Sequence, residues 1–236
     1  MNKFTPCVAV FLIFFISNAF GQTNVVKAGF SDAFLGNFNL NYEKAVNQNQ
    51  SVSFKLGYMK PTLSPFISET AITPSAYTLE KSKGGMNASV DYRFYMSQNE
   101  SLQGLYIAPY MRWLNQKMDY ADEIDTRIFD VDFRLNTLGA GAQLGYQLLL
   151  AERISLDFYF FGAGIDYHMV HFKYQLKQQE PGFDYGSIKS EVSDVFKNIN
   201  YLHKKLKFDK EDDHLTTRLP FFFPGFRAGI NLGIAF

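Results

Sequence analysis

The sequence predicts an all-β protein, an eight-stranded antiparallel transmembrane β-barrel, and three observations predict it. The chain of 236 residues combines 25 Phe, 14 Tyr and 17 Gly with only 19% charged residues. Apolar and polar residues alternate strictly in several segments, which is typical of strands with two unlike faces. Short and long connections also alternate along the chain, as expected of periplasmic turns and extracellular loops.

Seven segments alternate clearly, and an eighth, residues 24–31, alternates more weakly. The seven are 37–46, 51–60, 85–96, 104–114, 135–148, 154–167 and 225–236. Bacterial single-chain barrels have an even number of strands and both chain ends in the periplasm, so the weaker segment completes the barrel. The connections 61–83, 115–133 and 168–218 are long and are predicted to be extracellular loops.

Residues 1–21 are predicted to be a secretory signal peptide, and residues 22–236 the barrel. Lys3 precedes an apolar run from Cys7 to Ile16, and Ala19 and Gly21 form a small-x-small cleavage site. The run is shorter than the roughly 20 apolar residues of a membrane-spanning helix. We therefore expect the exported chain in the outer membrane of a Gram-negative bacterium, in contact with outer-membrane lipid and lipopolysaccharide. Balanced charge, 23 basic and 23 acidic residues, argues against nucleic-acid binding.

Alternation alone does not decide which face points inward, because a soluble lipocalin-type barrel buries its apolar face around a ligand. Three features favour an apolar face towards lipid: opposite charges on the polar face, aromatic residues near strand ends, and apolar faces about 10 residues long. The polar face carries Glu43, Asp91, Arg93, Arg112, Asp157 and Arg227, a predicted lumen charge network. The aromatic residues at strand ends are Tyr42, Tyr58, Tyr92, Trp113 and Phe236.

An eight-stranded barrel is just wide enough for side chains to fill it, so the charge network is predicted to plug the lumen. Arg227→Leu should then destabilise the barrel if Arg227 pairs with an inward acid, since a lone buried charge is costly.

The last strand resembles the closing strand of outer-membrane β-barrel proteins, which their insertion machinery recognises by alternating apolar residues and a terminal aromatic. The residues that match this signal are Phe226, Ile230, Leu232, Ile234 and Phe236. The runs 35–45, 105–110 and 139–147 resemble a Bacteroidota-type family of small outer-membrane barrels of unassigned function, the outer membrane protein beta-barrel domain. The resemblance implies the fold and the location, and it brings no catalytic residues.

Three further features of the sequence could carry chemistry. His168 and His171 are three residues apart, which on a strand places them on opposite faces and argues against a shared metal. The acidic segment 115–133 lacks the spacing of a calcium loop, so a solvated loop is expected and a divalent-cation site is the alternative. Segment 187–207 has apolar residues at three- and four-residue steps, which predicts one amphipathic helix in the last long extracellular loop.

That helix is expected to pack over the barrel rim; the alternatives are a position on the outer leaflet or a docked partner. Lys204, Lys205 and Lys207 beside it offer a weak contact for lipopolysaccharide phosphate.

These features favour a non-enzymatic outer-membrane barrel without cofactor or metal. Its expected role is structural, or the presentation of its loops to an unidentified surface partner. One alternative is a barrel that binds a lipid or another small hydrophobic ligand. The other is a lipid A-modifying enzyme, in which His168, Ser187 and the acidic segment would act at the outer rim.

Overall fold

A computed structural model describes residues 22–34, 36–60, 84–97, 102–124, 127–178, 180, 182–211 and 213–236. The predicted signal peptide and the connection 61–83 lie outside these residues. The elements in chain order are β1 (Asn24–Gly29), α1 (Phe30–Phe34), β2 (Asn37–Asn47), β3 (Gln50–Met59), β4 (Gly85–Tyr95), β5 (Gly104–Ile124), β6 (Arg127–Leu150), β7 (Ile154–Leu176), α2 (Gly186–Phe196), α3 (Asn200–His203), β8 (Lys207–Lys210) and β9 (His214–Ala235).

Eight antiparallel strands form a closed ring, in the order β1 to β7 and then β9. The ring closes between β1 and β9, where Val25 pairs with Ala235 and Gly29 pairs with Asn231. The short strand β8 pairs with β9 outside the ring. The predicted all-β fold, with eight antiparallel strands in the ring, is confirmed. The presence of a helix near the C-terminus is also confirmed. None of the described helices is long and apolar enough to cross a membrane.

The weaker segment 24–31 does supply a strand, β1, which ends at Gly29. Its first residue lies beside the C-terminus, since Asn24 and Phe236 exchange backbone hydrogen bonds of 3.0 and 2.8 Å. The tight turn at 150–153 is at the same end of the barrel, which we call the lower end. There Ala151 and Glu152 both have positive φ, and the Arg153 amide donates to the Leu150 carbonyl, as in a type I′ hairpin.

Four strands are much longer than predicted, and the loop assignments for 115–133 and for both ends of 168–218 are therefore wrong. β5 and β6 pair from Gly104 to Ile124, and β7 pairs with β9 up to Gln175 and His214. Beyond the upper end of the barrel these strands form a curved sheet, which we call the extension: 117–124, 127–134, 169–176, 207–210 and 214–220.

Segment 187–207 is also divided further than predicted. It forms α2, the single turn α3, and the first residue of β8.

Apolar side chains of the barrel point outward, and charged ones point inward. Leu40, Leu56 and Phe226 are 64%, 67% and 68% exposed, whereas Glu43 and Arg93 are 0% and 1% exposed. Strict alternation over 154–167 predicts Phe161 on the inward face with Asp157, and this is wrong, because a β-bulge adds a residue to β7 opposite β6 and β9. Phe160 and Phe161 consequently both face outward, and the residues that follow change sides.

The helix α1 covers the edge of β9 above its pairing with β1. It lies against β9 and β2. The Ser31 hydroxyl accepts a hydrogen bond from the Ile230 amide, and the Tyr201 hydroxyl accepts one from the Phe222 amide on the same edge. Pro220 and Pro224 are separated from Phe222 and Ile230 by even numbers of residues, so their backbone nitrogens face the same edge of β9. Because proline carries no N–H, it is well suited to a strand edge without a strand partner.

Candidate functional site

Four buried charged residues meet in the lower half of the lumen, and we call them the ion cluster: Lys27, Glu43, Arg93 and Asp157. The Lys27 ammonium donates to Glu43, to Asp157 at 2.9 Å and to the Gln147 amide oxygen at 2.6 Å. A lysine ammonium has three N–H donors, so all three are used. One Arg93 nitrogen, Nη1, lies 3.0 Å from both Asp157 and Gln147 and 3.2 Å from Glu43.

Neutral groups complete the hydrogen bonding of the two carboxylates. The Tyr95 hydroxyl donates to Glu43 at 2.6 Å, as does the Ser51 hydroxyl. The Tyr106 hydroxyl donates to Asp157 at 2.8 Å, and its ring lies 4.5 Å below the Arg93 guanidinium. Buried carboxylates that accept several hydrogen bonds and face two cations are stabilised in their charged form. The cluster is therefore a cross-link between opposite walls of the barrel.

Inward tyrosines share the lumen with inward glycines. Gly145 is the direct partner of Tyr106 across β5 and β6, and a Cβ atom at Gly145 would collide with the Tyr106 ring. Gly229 makes room for the ring of Tyr159 in the same way. At Gly145 and Gly229 only a residue without a side chain leaves room for the ring, whereas Gly139 and Gly225 leave room for the Asp166 carboxylate.

A second charged group lies above the ion cluster. Asp32 of α1 accepts a hydrogen bond from Asn39 at 2.6 Å and lies 3.4 Å from the Lys55 ammonium. The Tyr159 hydroxyl is 3.3 Å from Asp32, so α1 is tied to β2, β3 and β7. The helix that covers the wall is thus held by a charge directed into the lumen.

Arg227 has aromatic neighbours and no carboxylate within 4.0 Å among the described residues. Its guanidinium lies 4.6 Å from the Tyr110 ring centroid and 5.2 Å from that of Tyr159. The expected cost of Arg227→Leu depended on an ion pair between Arg227 and an inward acid, and the described residues contain no such pair. A cation–π contact with two rings takes the place of the ion pair.

Arg112 and Asp166 form the uppermost ion pair, near the mouth of the barrel. Arg112 Nε lies 3.0 Å from Asp166, and its terminal nitrogen contacts the other carboxylate oxygen. Asp166 is buried, while the Arg112 side chain is 30% exposed. The pair therefore separates the packed lumen from solvent.

The six residues of the sequence-predicted network all lie along the lumen, but only Glu43, Asp91, Arg93 and Asp157 lie together. Asp91 joins through Arg93 Nε at 2.7 Å. Sequence reasoning missed Lys27, Lys55, Asp32 and Asp166. Among the described residues the inward charges then balance: Lys27, Lys55, Arg93, Arg112 and Arg227 against Asp32, Glu43, Asp91, Asp157 and Asp166.

Of the missed residues, Lys27 had a signal in the sequence, whereas Asp166 had none. Lys27 lies between Val26 and Ala28, so strict alternation on a full first strand would have placed it inward. Asp166 follows the bulge, which moved it to the inward face.

The extension reverses the polarity of the barrel strands, because its concave face is apolar. Phe129, Val131, Tyr174, Leu176 and Leu215 are buried there against Tyr185, Ile188 and Val192 around α2. The helix therefore packs on the extension, beyond the mouth of the barrel, and not directly on the barrel rim as expected. The Tyr185 hydroxyl donates to the Asp213 carbonyl at 2.7 Å, and burial raises the pKa of Tyr185. We call α2 with its flanking residues 183–197 the lid.

An exposed ion pair joins the lid to the edge strand of the extension. The Lys210 ammonium lies 2.8 Å from Asp184, which also accepts a hydrogen bond from the Gly186 amide. These two hydrogen bonds, the one from Lys210 foremost, lower the pKa of Asp184. The pair is open to solvent and contributes orientation more than stability.

The two close histidines lie on opposite faces, as their spacing predicts. His168 hydrogen-bonds with Thr137 at 2.8 Å and stacks on Phe221, while His171 is opposite Arg134 on the outer face. Of the acidic segment, Asp119, Asp130 and Asp132 lie on β5 and β6, and Asp125 is outside the described residues.

The described residues place Glu211, Asp213 and His214 close enough to share an ion, in an exposed position at the start of β9. The hydrogen bond between Asp213 and His214 lowers the pKa of Asp213. His214 thus lies between two carboxylates, since its Nε2 is 3.6 Å from Glu211.

The residues of the predicted insertion signal lie on or just after β9. Phe226, Ile230, Leu232 and Ile234 face outward, with exposed fractions from 36% to 68%. Phe236 follows the strand, and its backbone is held by Asn24.

Comparison of the chain with curated proteins and with solved structures gives no match. One family model matches residues 7–191, which is more than half of the chain. This stretch includes β1 to β7 and with them all four residues of the ion cluster. The chain therefore belongs to the family described as Protein of unknown function (DUF3575).

Proposed function

We propose that this protein is an integral outer-membrane β-barrel with a plugged lumen, whose extension and lid serve a structural or surface-interaction role without enzymatic activity. In this proposal residues 1–21 are removed on export, and the extension points away from the cell. The resemblance to small outer-membrane barrels of Bacteroidota supports the same location.

One observation carries the proposal: the outward face changes polarity along single strands. On β6 the outward residues are apolar from Leu138 to Leu150; Asn136 follows, and Arg134 and Asp132 continue the outward face into the extension. The inward face changes in the opposite sense at the same height. A strand that passes from hydrocarbon into water requires such a reversal, whereas a soluble barrel would keep one apolar face inward throughout.

The outward apolar band also has the dimensions of a bilayer. It covers about 10 residues per strand, enough to cross the hydrocarbon when strands are tilted. Trp113, Tyr167 and Phe222 lie at its upper limit, on β5, β7 and β9. Aromatic residues at this level are typical of the interfacial girdles of membrane barrels. Ring closure leaves no open edge between β1 and β9 at the lower end.

The filled interior favours an interaction role over transport or ligand storage. A lipocalin-type site needs an apolar cavity, but here ion pairs and tyrosine hydroxyls occupy the axis. The extension and the lid pack against each other as a unit beyond the barrel, and this unit offers a surface to a partner. We therefore place the biological activity of the protein on that surface.

Fluorescence of the single tryptophan tests the membrane proposal. Trp113 is 43% exposed on the outward face, so acyl chains would contact it directly. In vesicles made with brominated acyl chains we expect strong quenching relative to ordinary vesicles. The unheated protein should also migrate differently from the boiled protein on a gel, and cell fractionation should recover it with the outer membrane.

Release by osmotic shock, together with unquenched Trp113, would contradict the proposal. Export is tested separately, since the amino terminus of the mature protein should be Gln22. The non-enzymatic role predicts that lipid A from cells with and without the gene has the same mass spectrum, and a gene-dependent mass change would favour the enzyme alternative.

A further inference from the structure

Five basic residues lie side by side across the outer face of the extension, and we call them the basic row: Lys117, Arg134, His171, Arg218 and Lys207. Each one is the direct register partner of the next, from β5 through β6, β7 and β9 to β8. With strands about 4.8 Å apart the row is roughly 19 Å long.

The row belongs to the solvent-facing side of the extension. Lys117, Arg134, Arg218 and Lys207 are exposed, and His171 is partly buried. Their sequence neighbours Phe172 and Phe208 pack on the opposite, concave side under the lid. The row is therefore not explained by packing within the extension.

Carboxylates of the protein neutralise only part of the positive charge of the basic row. Arg134 pairs with Asp132 at 2.7 Å, and Arg218 contacts Asp209. Among the described residues Lys117 and Lys207 have no carboxylate within 4.0 Å. Burial lowers the pKa of His171, and so do the nearby Arg218 and Arg134. Like charges directly opposite one another destabilise a sheet, so the cation pairs Lys117–Arg134 and Lys207–Arg218 would both be stabilised by a bound anion.

The height of the row identifies where such an anion would be. Four residues below it on each long strand lie Trp113, Leu138, Tyr167 and Phe222, the upper limit of the apolar band. A groove of about 400 Å³ on the outward face of β3 to β6 ends at Trp113 and Leu138, directly below Lys117 and Arg134. Phe54, Leu56 and Met111 also line it.

We propose that the basic row binds the phosphate groups of a phosphorylated amphiphile of the outer leaflet, with its acyl chains against the apolar band. The inference rests on the proposed membrane location and goes further, because it names the ligand chemistry and the residues. Arginine and lysine form charge-assisted hydrogen bonds with phosphate, and the row offers them at the level of headgroups. The ligand is bound from the membrane plane, so the source is a lipid headgroup.

The test uses the full-length mature protein in detergent micelles and lipid A as the probe. The row variant carries K117Q, R134Q, R218Q and K207Q. The matched control carries K177Q, K189Q, K197Q and K210Q, four exposed lysines in the lid and beyond the basic row, just after β7 and on β8. Binding is measured for bisphosphorylated lipid A, for dephosphorylated lipid A and for inorganic phosphate alone.

We expect the wild type and the control to bind bisphosphorylated lipid A alike, and the row variant to bind it at least about tenfold more weakly. The difference should shrink with dephosphorylated lipid A and at high salt. Equal affinity of the row variant and the wild type, equal loss in the control, or wild-type binding that does not depend on the phosphates would overturn the proposal. So would inorganic phosphate binding as tightly as lipid A.

Trp113 quenching and heat-modifiable migration are recorded on the same preparations. If the wild type fails those assays, the membrane proposal falls and takes this inference with it. If the wild type passes those assays but its affinity for lipid A does not depend on the phosphates, the membrane proposal stands and only the lipid site at the basic row is rejected.

Discussion

Lys27 shows how much a single inward residue contributes to this barrel. Its ammonium uses all three donors on Glu43, Gln147 and Asp157, and it is 1% exposed. Removing one partner of a buried charge cluster costs more than the net stabilisation of the cluster, because the remaining charges lose compensation. The ion cluster therefore stabilises the fold only as a complete set.

Lys27→Met should lower the free energy of unfolding by about 3–5 kcal/mol, since Glu43 and Asp157 would then face Arg93 alone. The measurement is urea unfolding in micelles, followed by Trp113 fluorescence. Lys44→Met is the matched control, because Lys44 is exposed on the outward face of β2. A Lys27→Met midpoint equal to that of Lys44→Met would show that the cluster is dispensable.

Arg227 and Arg93 allow a comparison of two ways to hold a cation in the lumen. Arg93→Leu removes ion pairs to three acids and should cost about 3–5 kcal/mol. Arg227→Leu removes contacts with two tyrosine rings and should cost about 1–2 kcal/mol. Both are read from the same urea titration. If Arg227→Leu were the more damaging change, the aromatic environment would not be the main support of that side chain.

At the scale of elements, the lid is a unit whose stability differs from that of the barrel. Its docking depends on Ile188 and Val192, which are 0% and 7% exposed against the concave face. The barrel strands depend on ladder hydrogen bonds that continue around the ring. A substitution in the lid should therefore open it without unfolding the strands below.

Ile188→Asp should weaken lid docking by about 3 kcal/mol or more, because it buries an unpaired charge in an apolar contact. Limited proteolysis should then cut between β7 and β8 faster than in the wild type, while heat-modifiable migration stays normal. Ser190→Asp is the control, since Ser190 is exposed on the same helix. Unchanged cleavage in Ile188→Asp would mean that the lid is held by other contacts.

For the whole molecule, the expected property is a closed lumen. The ion cluster crosses the lower half, and Leu102 packs with Val25 and Ala235 across the lower end, where it is fully buried. An eight-stranded barrel has little space beyond its own side chains. Protein added to a planar bilayer should therefore give no large, steady open-channel currents. Such currents in a preparation that also shows heat-modifiable migration would rule out the plug.

The alternating segments predicted seven strands and the inward position of residues such as Glu43 and Arg93, and the even strand number of bacterial barrels supplied the eighth strand. The alternation and the inward positions are local properties, because side chains of a strand point to opposite faces with a period of two. The sequence did not predict that β5, β6, β7 and β9 continue into the extension, because the apolar face changes sides there and the alternation of the barrel segment is interrupted.

The sequence by itself determined that this chain forms strands with one apolar and one charged face. Only the tertiary structure decided which charges meet. It brought Lys27 to Asp157 across 130 positions of sequence, and the bulge at Phe160 brought Asp166 to Arg112. It also aligned five basic residues from five strands in one row. Pairing across a closed barrel depends on register between distant strands, and no local pattern encodes that register.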